Sequence, residues 1–423
     1  MSTIQNANEQ TGNAPSVSLS HSLILLLAAG AGLGVASLYY SQPMLGILAT
    51  AFGASDRTAS LIPTLTQLGY AAGILFLSPL GDRFDRRTII LVKSAVLVLA
   101  LLLTASATNM GLMLCASVLV GLSATLAQDY VPAAAALAPE HGRGKVVGTV
   151  MTGLLLGILL SRVIGGAMAE WFGWRTVYAL AAVAVACALL AAVRMLPHFP
   201  ANAELSYPAL LGSMRRLWGR HVAVRRATLA QATLSIAFSA FWSTLALMLQ
   251  HTYHLGSSVA GAFGLAGAAG SIAAPLAGRL ADHRGARMVA KVGIGIAALS
   301  FASMLALPLV PYSAQIGLLV LIAVCFDFGV QAALVAHQTM IYGVDHAARS
   351  RLNAILFTGM FLGMAAGSSL GGVVLARWGW TGISILATVA SLVALLISMS
   401  KPRQTRRWIA AARLDLLELG RSR

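Results

Sequence analysis

The sequence predicts an all-α integral membrane protein whose twelve transmembrane helices form two pseudo-symmetric bundles of six. Composition is the first reason, because apolar residues make up 58% of the chain, charged residues only 10%, and the mean hydropathy is +0.80. A soluble domain carries about 25% charged residues. The second reason is the 41 glycines among 423 residues, which suit helices that pack closely in lipid.

The polar breaks along the chain define the individual helices. A helix that crosses the hydrocarbon core needs about 20 apolar residues. Cutting at the polar breaks gives twelve candidates, which are 22–48, 58–80, 88–107, 111–137, 146–170, 174–196, 227–250, 258–281, 289–309, 313–340, 352–376 and 380–400. The longest interruption, 197–226, separates a first bundle over 21–196 from a second over 227–400. We expect 1–20 to be a disordered cytosolic tail, 197–226 a cytosolic linker and 401–423 a basic cytosolic tail.

The positive charges predict the orientation in the membrane. Of the 29 Lys and Arg residues, all except Arg57, Arg162, Arg175 and Arg377 lie toward the side that also carries both termini. Because cytoplasmic loops are enriched in Lys and Arg, we expect both termini in the cytoplasm of a bacterial inner (plasma) membrane. The formal net charge of +16 then faces the anionic lipids of the inner leaflet, and no nucleic-acid partner is expected.

The two predicted bundles also repeat each other. Three pairs of similar segments occur in the same order, and these are SPLGDRFDRR (78–87) with GRLADHRGAR (278–287), PEHGRGK (139–145) with DHAARSR (345–351), and GGAMAEWFGWR (165–175) with GGVVLARWGW (371–380). Three matching landmarks indicate an internal duplication. Related repeats are how secondary transporters build a central site that opens to either side of the membrane.

The first pair of segments resembles the signature of the major facilitator superfamily, Gly-x-Leu-Ala-Asp-x-x-Gly-Arg-Lys/Arg, and the resemblance extends over essentially the whole chain after residue 20. The second copy keeps the signature at Gly278, Leu280, Ala281, Asp282, Gly285 and Arg287. The first copy keeps Leu80, Asp82, Arg83, Arg86 and Arg87, and has Ser78 and Asp85 where the family favours glycine. The resemblance implies a latch between the bundles on the cytosolic side, which breaks as they rock. The alternative is that these charges only anchor the helix ends at the membrane surface.

Three further segments, 39–45, 157–166 and 350–372, resemble a bacterial branch grouped near the drug:proton antiporters and sugar-efflux proteins. Two departures from the antiporter pattern matter. The fourth span has Ser117 where many antiporters have an arginine. The motif Gly-x-x-x-Gly-Pro-x-x-Gly-Gly of the fifth span here has Ser161 and Arg162 in place of its central Gly-Pro.

Asp327 is the most informative single residue, because it lies within the apolar tenth span. Placing an acid at the middle of a membrane costs about 2.5–3.5 kcal/mol on insertion scales. Apolar surroundings disfavour the charged carboxylate, which suits this group to take up and release a proton. We expect Asp327 to couple transport to protons or to hold a cationic group. The alternative is a structural acid satisfied by a neighbouring helix. Gln331 and Gln338 share its helix face.

Three more polar residues are candidates for proton coupling. Arg162 is expected to bind an anionic substrate group or to balance a carboxylate, and the alternative is that it reaches the outer headgroups. We expect it to differ in depth from Asp327 by a turn or two, so that a direct ion pair requires shifted helices. Asp129 is a candidate for gating, although a partly hydrated acid at a helix end is the favoured interpretation. His337 is more often a packed, hydrogen-bonded histidine than a proton carrier.

The seventh span carries a polar stripe, and its members are Gln231, Ser235, Ser239 and Trp242. The resemblance implies that the first, fourth, seventh and tenth spans line a central cavity. The stripe would then face Tyr39, Tyr40 and Gln42 of the first span. Amide, hydroxyl and aromatic groups in an apolar wall suit a moderately hydrophobic organic molecule. The same Ser and Gln residues also serve as hydrogen-bonding partners between helices.

These features predict a secondary active transporter that exports a small organic compound, drug-like or metabolite, coupled to protons by alternating access. Uptake or facilitated transport of a metabolite is the alternative, because the antiporter motif is altered. A polytopic membrane enzyme or sensor is a third class, and the absence of metalloprotease and P-loop motifs argues against it. We expect a monomer without cofactor or metal, since the three cysteines fall in apolar runs without metal-ligand spacing.

Overall fold

The computed structural model describes residues 20–199, 206–345 and 348–400, apart from the side chains of Asp82, His141, Ala269 and Ser271. The predicted N-terminal tail, except its last residue, and the predicted C-terminal tail lie outside these ranges. In the part described, ten helices are long and apolar enough to cross a membrane. The last of the ten comprises two spans and the first span of the chain is a broken helix, which gives twelve spans. The predicted all-α fold with twelve apolar helices is therefore confirmed.

The first six spans begin with a helix whose N-terminus is capped by Ser20, which accepts a hydrogen bond from the Leu23 backbone N–H at 3.2 Å. This first span consists of His21–Ala36, a 3-10 turn at Gln42–Met44 and Leu45–Ala51. Pro43 lies in the turn, where its missing N–H costs no helical hydrogen bond. The next five spans are Asp56–Leu77, Arg86–Ala105, Met110–Leu137, Arg143–Phe172 and Trp174–Met195.

The last six spans follow a short helix in the linker, Tyr207–Arg220. Their bounds are Val222–Tyr253, Ser257–Arg284, Ala286–Leu309, Tyr312–Tyr342, and Arg349–Met399 for the eleventh and twelfth together. Gly379 separates the final two spans with φ 59° and ψ −156°, a conformation that glycine adopts without the strain a side chain would introduce. The seventh span begins at Val222 instead of the predicted 227.

The linker helix contacts both halves of the molecule. The Tyr207 hydroxyl donates to the Phe76 backbone oxygen in the second span at 2.8 Å. Arg351 Nη1, at the start of the eleventh span, donates to Ser213 Oγ at 2.9 Å. This helix lies at the end of the bundle that also carries Ser20 and most of the Lys and Arg residues. We call this end the basic end.

At the other end of the bundle, which we call the opposite end, the halves are joined by buried hydrogen bonds. Ser257 Oγ of the eighth span donates to the Gly166 backbone oxygen of the fifth at 2.7 Å. Ser368 Oγ of the eleventh span donates to the Ser60 backbone oxygen near the start of the second at 3.0 Å. A side chain on Gly261 would collide with the backbone of the fifth span at Arg162. The small residues of the eighth span therefore allow the halves to meet here.

The junction between the second and third spans is organised by Asp85. Its carboxylate caps the third span by accepting from the Arg87 backbone N–H at 3.0 Å. It also accepts from the Phe199 N–H at 2.9 Å and pairs with His198 Nδ1 at 2.6 Å, just beyond the sixth span. Although partial burial raises the pKa of Asp85, these hydrogen bonds outweigh it and hold the pKa below its ordinary value. Asp85, which stands where the family favours glycine, thus links the junction of the second and third spans to the segment that follows the sixth span.

We expect Asp85→Asn to lower the free energy of unfolding by about 1–2 kcal/mol at pH 7, because it weakens a charged helix cap with three partners. The check is the melting temperature in detergent, with Asp282→Asn, an exposed aspartate at the same end, as the control. A group with a lowered pKa stabilises the fold above its ordinary pKa, and this stabilisation is lost as the pH falls through the lowered value. The difference in melting temperature between Asp85→Asn and wild type should therefore shrink below about pH 4. Equal melting temperatures at pH 7 would contradict this role.

Candidate functional site

A cavity of about 50 Å³ lies between the two halves at the depth of Asp327. Residues of the first, fifth, seventh, eighth and tenth spans line it. Its polar side chains belong to Tyr39, Arg162, Asp327 and Gln331, and the remaining wall is apolar or glycine. Three predicted site residues from different spans, Tyr39, Arg162 and Asp327, therefore come together at one place.

Arg162 is 3% exposed and lies inside the protein. Its guanidinium carbon lies 4.2 Å from the centre of the Trp242 ring and 4.9 Å from that of Tyr39. Its Nε donates to Gln42 Oε1 at 3.1 Å. Cation–π contacts are strongest where the cation is removed from water, so the two rings replace part of the lost hydration. The arginine is therefore held by the first and seventh spans.

Asp327 is 3% exposed and occupies the midpoint of Tyr312–Tyr342. The carboxylate and the guanidinium of Arg162 flank Gly267 of the eighth span. A Cβ placed on this glycine would lie 3.6 Å from Arg162 Nη1 and 3.9 Å from Asp327 Oδ2. The two charges share the cavity without an ion pair inside 4.0 Å. The two charges nevertheless lie close enough for strong attraction in an apolar interior.

An aromatic cluster fixes the orientation of the tenth span next to Asp327. The ring of Phe326 stacks on Phe301 with centroids 4.6 Å apart and meets Phe241 at 4.7 Å. The ring of Trp242 packs against Phe241 at 5.4 Å. Because neighbouring residues of a helix point in different directions, burying Phe326 among these rings turns Asp327 toward the cavity.

Several predicted cavity residues are engaged elsewhere. Tyr40 packs edge-on against Tyr178 with centroids 6.5 Å apart and does not line the cavity. Gln338 donates to Asn353 Oδ1 of the eleventh span at 3.1 Å. Although Gln338 shares a helix face with Asp327, it therefore serves a contact between helices nearer the basic end.

His337 and the polar stripe of the seventh span are also placed outside the cavity, although the Trp242 ring at the end of the stripe contacts Arg162. His337 Nδ1 lies 2.9 Å from Gln231 Oε1, a buried partner that the sequence did not identify. Ser235 Oγ donates to the Gln231 backbone oxygen one turn earlier in its own helix at 2.8 Å. Ser239 exchanges hydrogen bonds with Gln67 of the second span at 3.2 and 3.3 Å. His337 and Ser239 thus join helices, Ser235 bonds within its own helix, and none of the three lines the cavity near Asp327.

Asp129 differs from the partly hydrated acid that the sequence favoured. It is 4% exposed, and its Oδ2 forms an ion pair with Lys93 Nζ of the third span at 2.7 Å. Both residues belong to the first half. Lys93 and Gln67 were missed by sequence reasoning, although each is a polar residue within an apolar span and that signal was present.

The residues of the two signature copies are placed differently from each other. In the first copy, Arg87 reaches His198 Nε2 at 2.9 Å and the Val193 backbone oxygen at 2.7 Å, both near the end of the sixth span. Arg83 stacks on Phe84 at 5.7 Å, and Arg86 Nη2 donates to the Gly81 backbone oxygen at 3.3 Å. The predicted role of the Asp82 side chain lies outside the described residues.

In the second copy, Asp282 and Arg287 are exposed, and a Cβ on Gly278 would meet no atom within 4 Å. Gly285 adopts φ 86° between the eighth and ninth spans, which accounts for the family's preference for glycine there. The corresponding Asp85 has φ −53° and uses its side chain as a cap instead.

Comparison with known proteins gives a consistent result at the level of the family. The model of the Major Facilitator Superfamily matches residues 24–344 and 227–418. The chain is 39% identical over 384 residues to the uncharacterized transporter YgaY of Escherichia coli, covering 90% of this chain and 96% of that protein. It is 34% identical over 396 residues to a probable transporter of Streptomyces coelicolor, covering 91% and 89% respectively.

Solved structures show the same fold at lower identity. The chain resembles a D-xylose–proton symporter with a TM-score of 0.73 at 17% identity, covering 90% of this chain and 98% of that one. It also resembles an inward-facing bacterial homologue of the human lysosomal transporter Spinster, with a TM-score of 0.70 at 15% identity and coverage of 89% and 96%. At these identities the similarity concerns the fold alone.

We expect Lys93→Met to lower the free energy of unfolding by about 3 kcal/mol, because breaking a buried ion pair by removing one partner is strongly destabilising. The measurement is the melting temperature in detergent. Lys145→Met, at an exposed position of the fifth span, is the control for loss of a lysine as such. If both variants melt at the wild-type temperature, the Lys93–Asp129 pair does not stabilise the fold.

Proposed function

Because the chain belongs to the Major Facilitator Superfamily, we propose that it is a proton-coupled secondary transporter that moves a small organic compound by alternating access. The observation that carries the proposal is the cavity between the halves, with Asp327 buried at its wall beside Arg162. Members of this superfamily are transporters and not enzymes. The coarse assignment, a multi-pass membrane transporter, follows from family membership and the apolar helices.

Asp327 is the group that we propose to carry the proton. An uncompensated carboxylate is costly in an apolar interior, so its charge depends on the cations within reach. Arg162 is the cation that flanks the same glycine. When a substrate or a conformational change alters the contact between these two charges, the free energy of protonating Asp327 changes with it. Proton binding and substrate binding are then linked through one pair of side chains.

Alternating access is supported by the way the halves meet. The buried hydrogen bonds between Ser257 and Gly166 and between Ser368 and Ser60 lie at the opposite end, away from the basic end. A carrier closed at that end exchanges its cavity with the basic end, and rocking of the halves reverses the access. In the proposed orientation the basic end faces the cytoplasm of a bacterial inner membrane, since cytoplasmic loops are enriched in Lys and Arg.

The direction of transport has two candidates. Export coupled to protons is the first, and its support is the resemblance of three segments to drug:proton antiporters and sugar-efflux proteins. Uptake is the second, and Arg162 favours it. This residue replaces the proline of the antiporter motif and brings a buried positive charge into the cavity, where a cationic substrate would be repelled.

We propose that Asp82, Arg83, Arg86 and Arg87, with their counterparts Gly278, Asp282, Gly285 and Arg287, act as a gate at the basic end, and that Asp129 supports it. The carrier is proposed to work as a monomer in contact with anionic lipids of the inner leaflet, without cofactor, metal or nucleic acid.

We expect Asp327→Asn to abolish substrate-dependent proton movement, because an amide does not titrate. The assay adds lipophilic cations, neutral drugs, sugars, amino acids and carboxylates to everted membrane vesicles after a pH gradient is set. Glu140→Gln, at an exposed loop of the same protein, is the matched control. Equal proton flux in wild type and Asp327→Asn would assign Asp327 a structural role. Absence of proton flux with every compound would refute proton coupling.

We also expect Gly261→Val to abolish transport while leaving membrane insertion intact. A side chain at this position collides with the backbone of the fifth span and prevents closure of the opposite end. Gly295→Val, where a Cβ would meet no atom within 4 Å, is the control. Transport is measured as substrate flux and insertion as the amount of purified monodisperse protein. Full transport by Gly261→Val would show that the carrier does not need this closed contact.

A further inference from the structure

Three buried hydrogen-bond donors next to Asp327 have no partner in the described part of the chain. They are Arg162 Nη2, Gln42 Nε2 and Trp242 Nε1. The three residues are 3%, 2% and 2% exposed, so bulk water does not reach them freely. They line a second small cavity, about 10 Å³ in volume, which shares Arg162 with the larger cavity. Buried donors of this kind normally have a partner, and here the space beside them is the place for one.

The amide orientation of Gln42 is fixed by its neighbour. Arg162 Nε is a donor without acceptor capacity, so the Gln42 atom 3.1 Å away must be the oxygen. The Gln42 NH₂ group is then left facing the cavity without an acceptor. The Trp242 indole is likewise a donor only, and it is directed toward Asp327 without reaching hydrogen-bonding geometry. The unpaired groups are therefore all donors, and one of them is charged.

The chemistry of this set selects a carboxylate. A carboxylate offers two oxygens with about four lone-pair positions, and its planar shape matches the guanidinium and the neighbouring N–H groups. An ammonium group has no lone pair to offer these donors and is repelled by Arg162. A phosphate dianion would exceed the single positive charge of Arg162. The small cavity has room for little more than the charged group itself. The larger cavity, which shares Arg162, is lined by Leu155, Ile158, Leu159 and Phe238, and these side chains suit an apolar body attached to the charged group.

We propose that the transported compound is an apolar monocarboxylate, and that Arg162, Gln42 and Trp242 bind its carboxylate. This inference rests on the proposed carrier function and names the substrate class of the same site. Arg162 then binds substrate, and the rings of Trp242 and Tyr39 hold its guanidinium in place.

Charge balance links this substrate to the proton. In the described residues, the titratable groups that face Asp327 from neighbouring spans are Arg162 and Tyr39. Ionised Arg162 and Asp327 sum to zero, and a bound carboxylate adds one negative charge. An apolar interior disfavours the excess, so a proton on Asp327 restores neutrality. The carboxylate and the proton are then carried together, which favours the uptake candidate over export.

The test is binding by purified full-length protein in detergent, without any gradient. The probes are radiolabelled acetate, benzoate and octanoate at pH 7, each competed with its neutral amide of the same shape, acetamide, benzamide or octanamide. We expect at least one carboxylate to bind saturably and its amide to compete at least tenfold more weakly. Arg162→Gln is expected to weaken that carboxylate at least tenfold, and Trp242→Phe and Gln42→Leu several-fold each.

Arg175→Gln is the matched control for loss of an arginine. Arg175 also stacks on a tryptophan, with its guanidinium carbon 4.2 Å from the ring centre of Trp174, but it lies at the opposite end away from the cavity. Its carboxylate affinity should equal that of wild type. If Arg162→Gln is not monodisperse on gel filtration, Trp242→Phe and Gln42→Leu decide the question, because both keep the arginine.

Three results would overturn the proposal. The first is that none of the three carboxylates binds saturably, which would leave water as the partner of the donors. The second is that the amide competes as strongly as the carboxylate. The third is that the carboxylate affinity is unchanged in Arg162→Gln, Trp242→Phe and Gln42→Leu. The outcome is separable from that of the carrier proposal. Carboxylate binding without proton flux in vesicles would refute the coupling and support the anion site. Proton flux driven only by neutral or cationic compounds would support the carrier and refute the anion site.

Discussion

A guanidinium held inside an apolar bundle is the constraint on which the rest of the site depends. An isolated charge in such surroundings is strongly disfavoured, so the fold has to replace its hydration with protein groups. The rings of Trp242 and Tyr39 lie against it, Gln42 accepts from Nε, and Asp327 supplies the opposite charge nearby. These four partners come from the first, seventh and tenth spans, while Arg162 comes from the fifth. Spans from both halves must therefore meet at one depth, and the cavity lies where they meet.

The eighth span makes room for this arrangement by having almost no side chains there. A Cβ on Gly264 would lie 2.8 Å from Arg162 Cβ, and one on Gly270 would lie 2.5 Å from Asp327 Oδ2. Larger residues at these positions would displace one charge or the other. The stretch of small residues thus acts as the shaped wall of a charged site as well as a close-packing surface between helices. Arg162 in place of the motif's proline and the small residues of the eighth span thus belong together, because the arginine side chain needs the space that these small residues leave.

Hydropathy was enough to predict twelve spans, because length and polarity of a membrane helix are constrained by the bilayer itself. The same reasoning found Arg162 and Asp327, since a charge in an apolar span is costly wherever the span lies. It could not tell which polar residues were already satisfied. A helical wheel gives the direction of a side chain but not the neighbour it meets. His337 contacts Gln231, which is 106 residues away in sequence, and Gln338 contacts Asn353, which is 15 residues away. Both contacts join two helices. The cap formed by Asp85 needed the position of His198 as well.

The buried polar contacts within the first half also differ from those between the two halves, which have to break when the halves rock. Within the first half, Lys93 and Asp129 form a buried ion pair, whose disruption is strongly disfavoured.

Across the halves, the buried hydrogen bonds join neutral groups, as in Gln67 with Ser239 and Ser257 with the backbone at Gly166. Each neutral bond contributes only about 0.5–1.5 kcal/mol net, because water or new partners replace it when it breaks. A buried ion pair therefore stabilises the first half, whereas the buried hydrogen bonds between the halves are individually weaker. A buried charged contact, that of Arg162 with Trp242, also crosses this boundary beside the cavity. This charged contact between the halves lies at the proposed substrate site, so a ligand that changes it would also change the balance between the two ends.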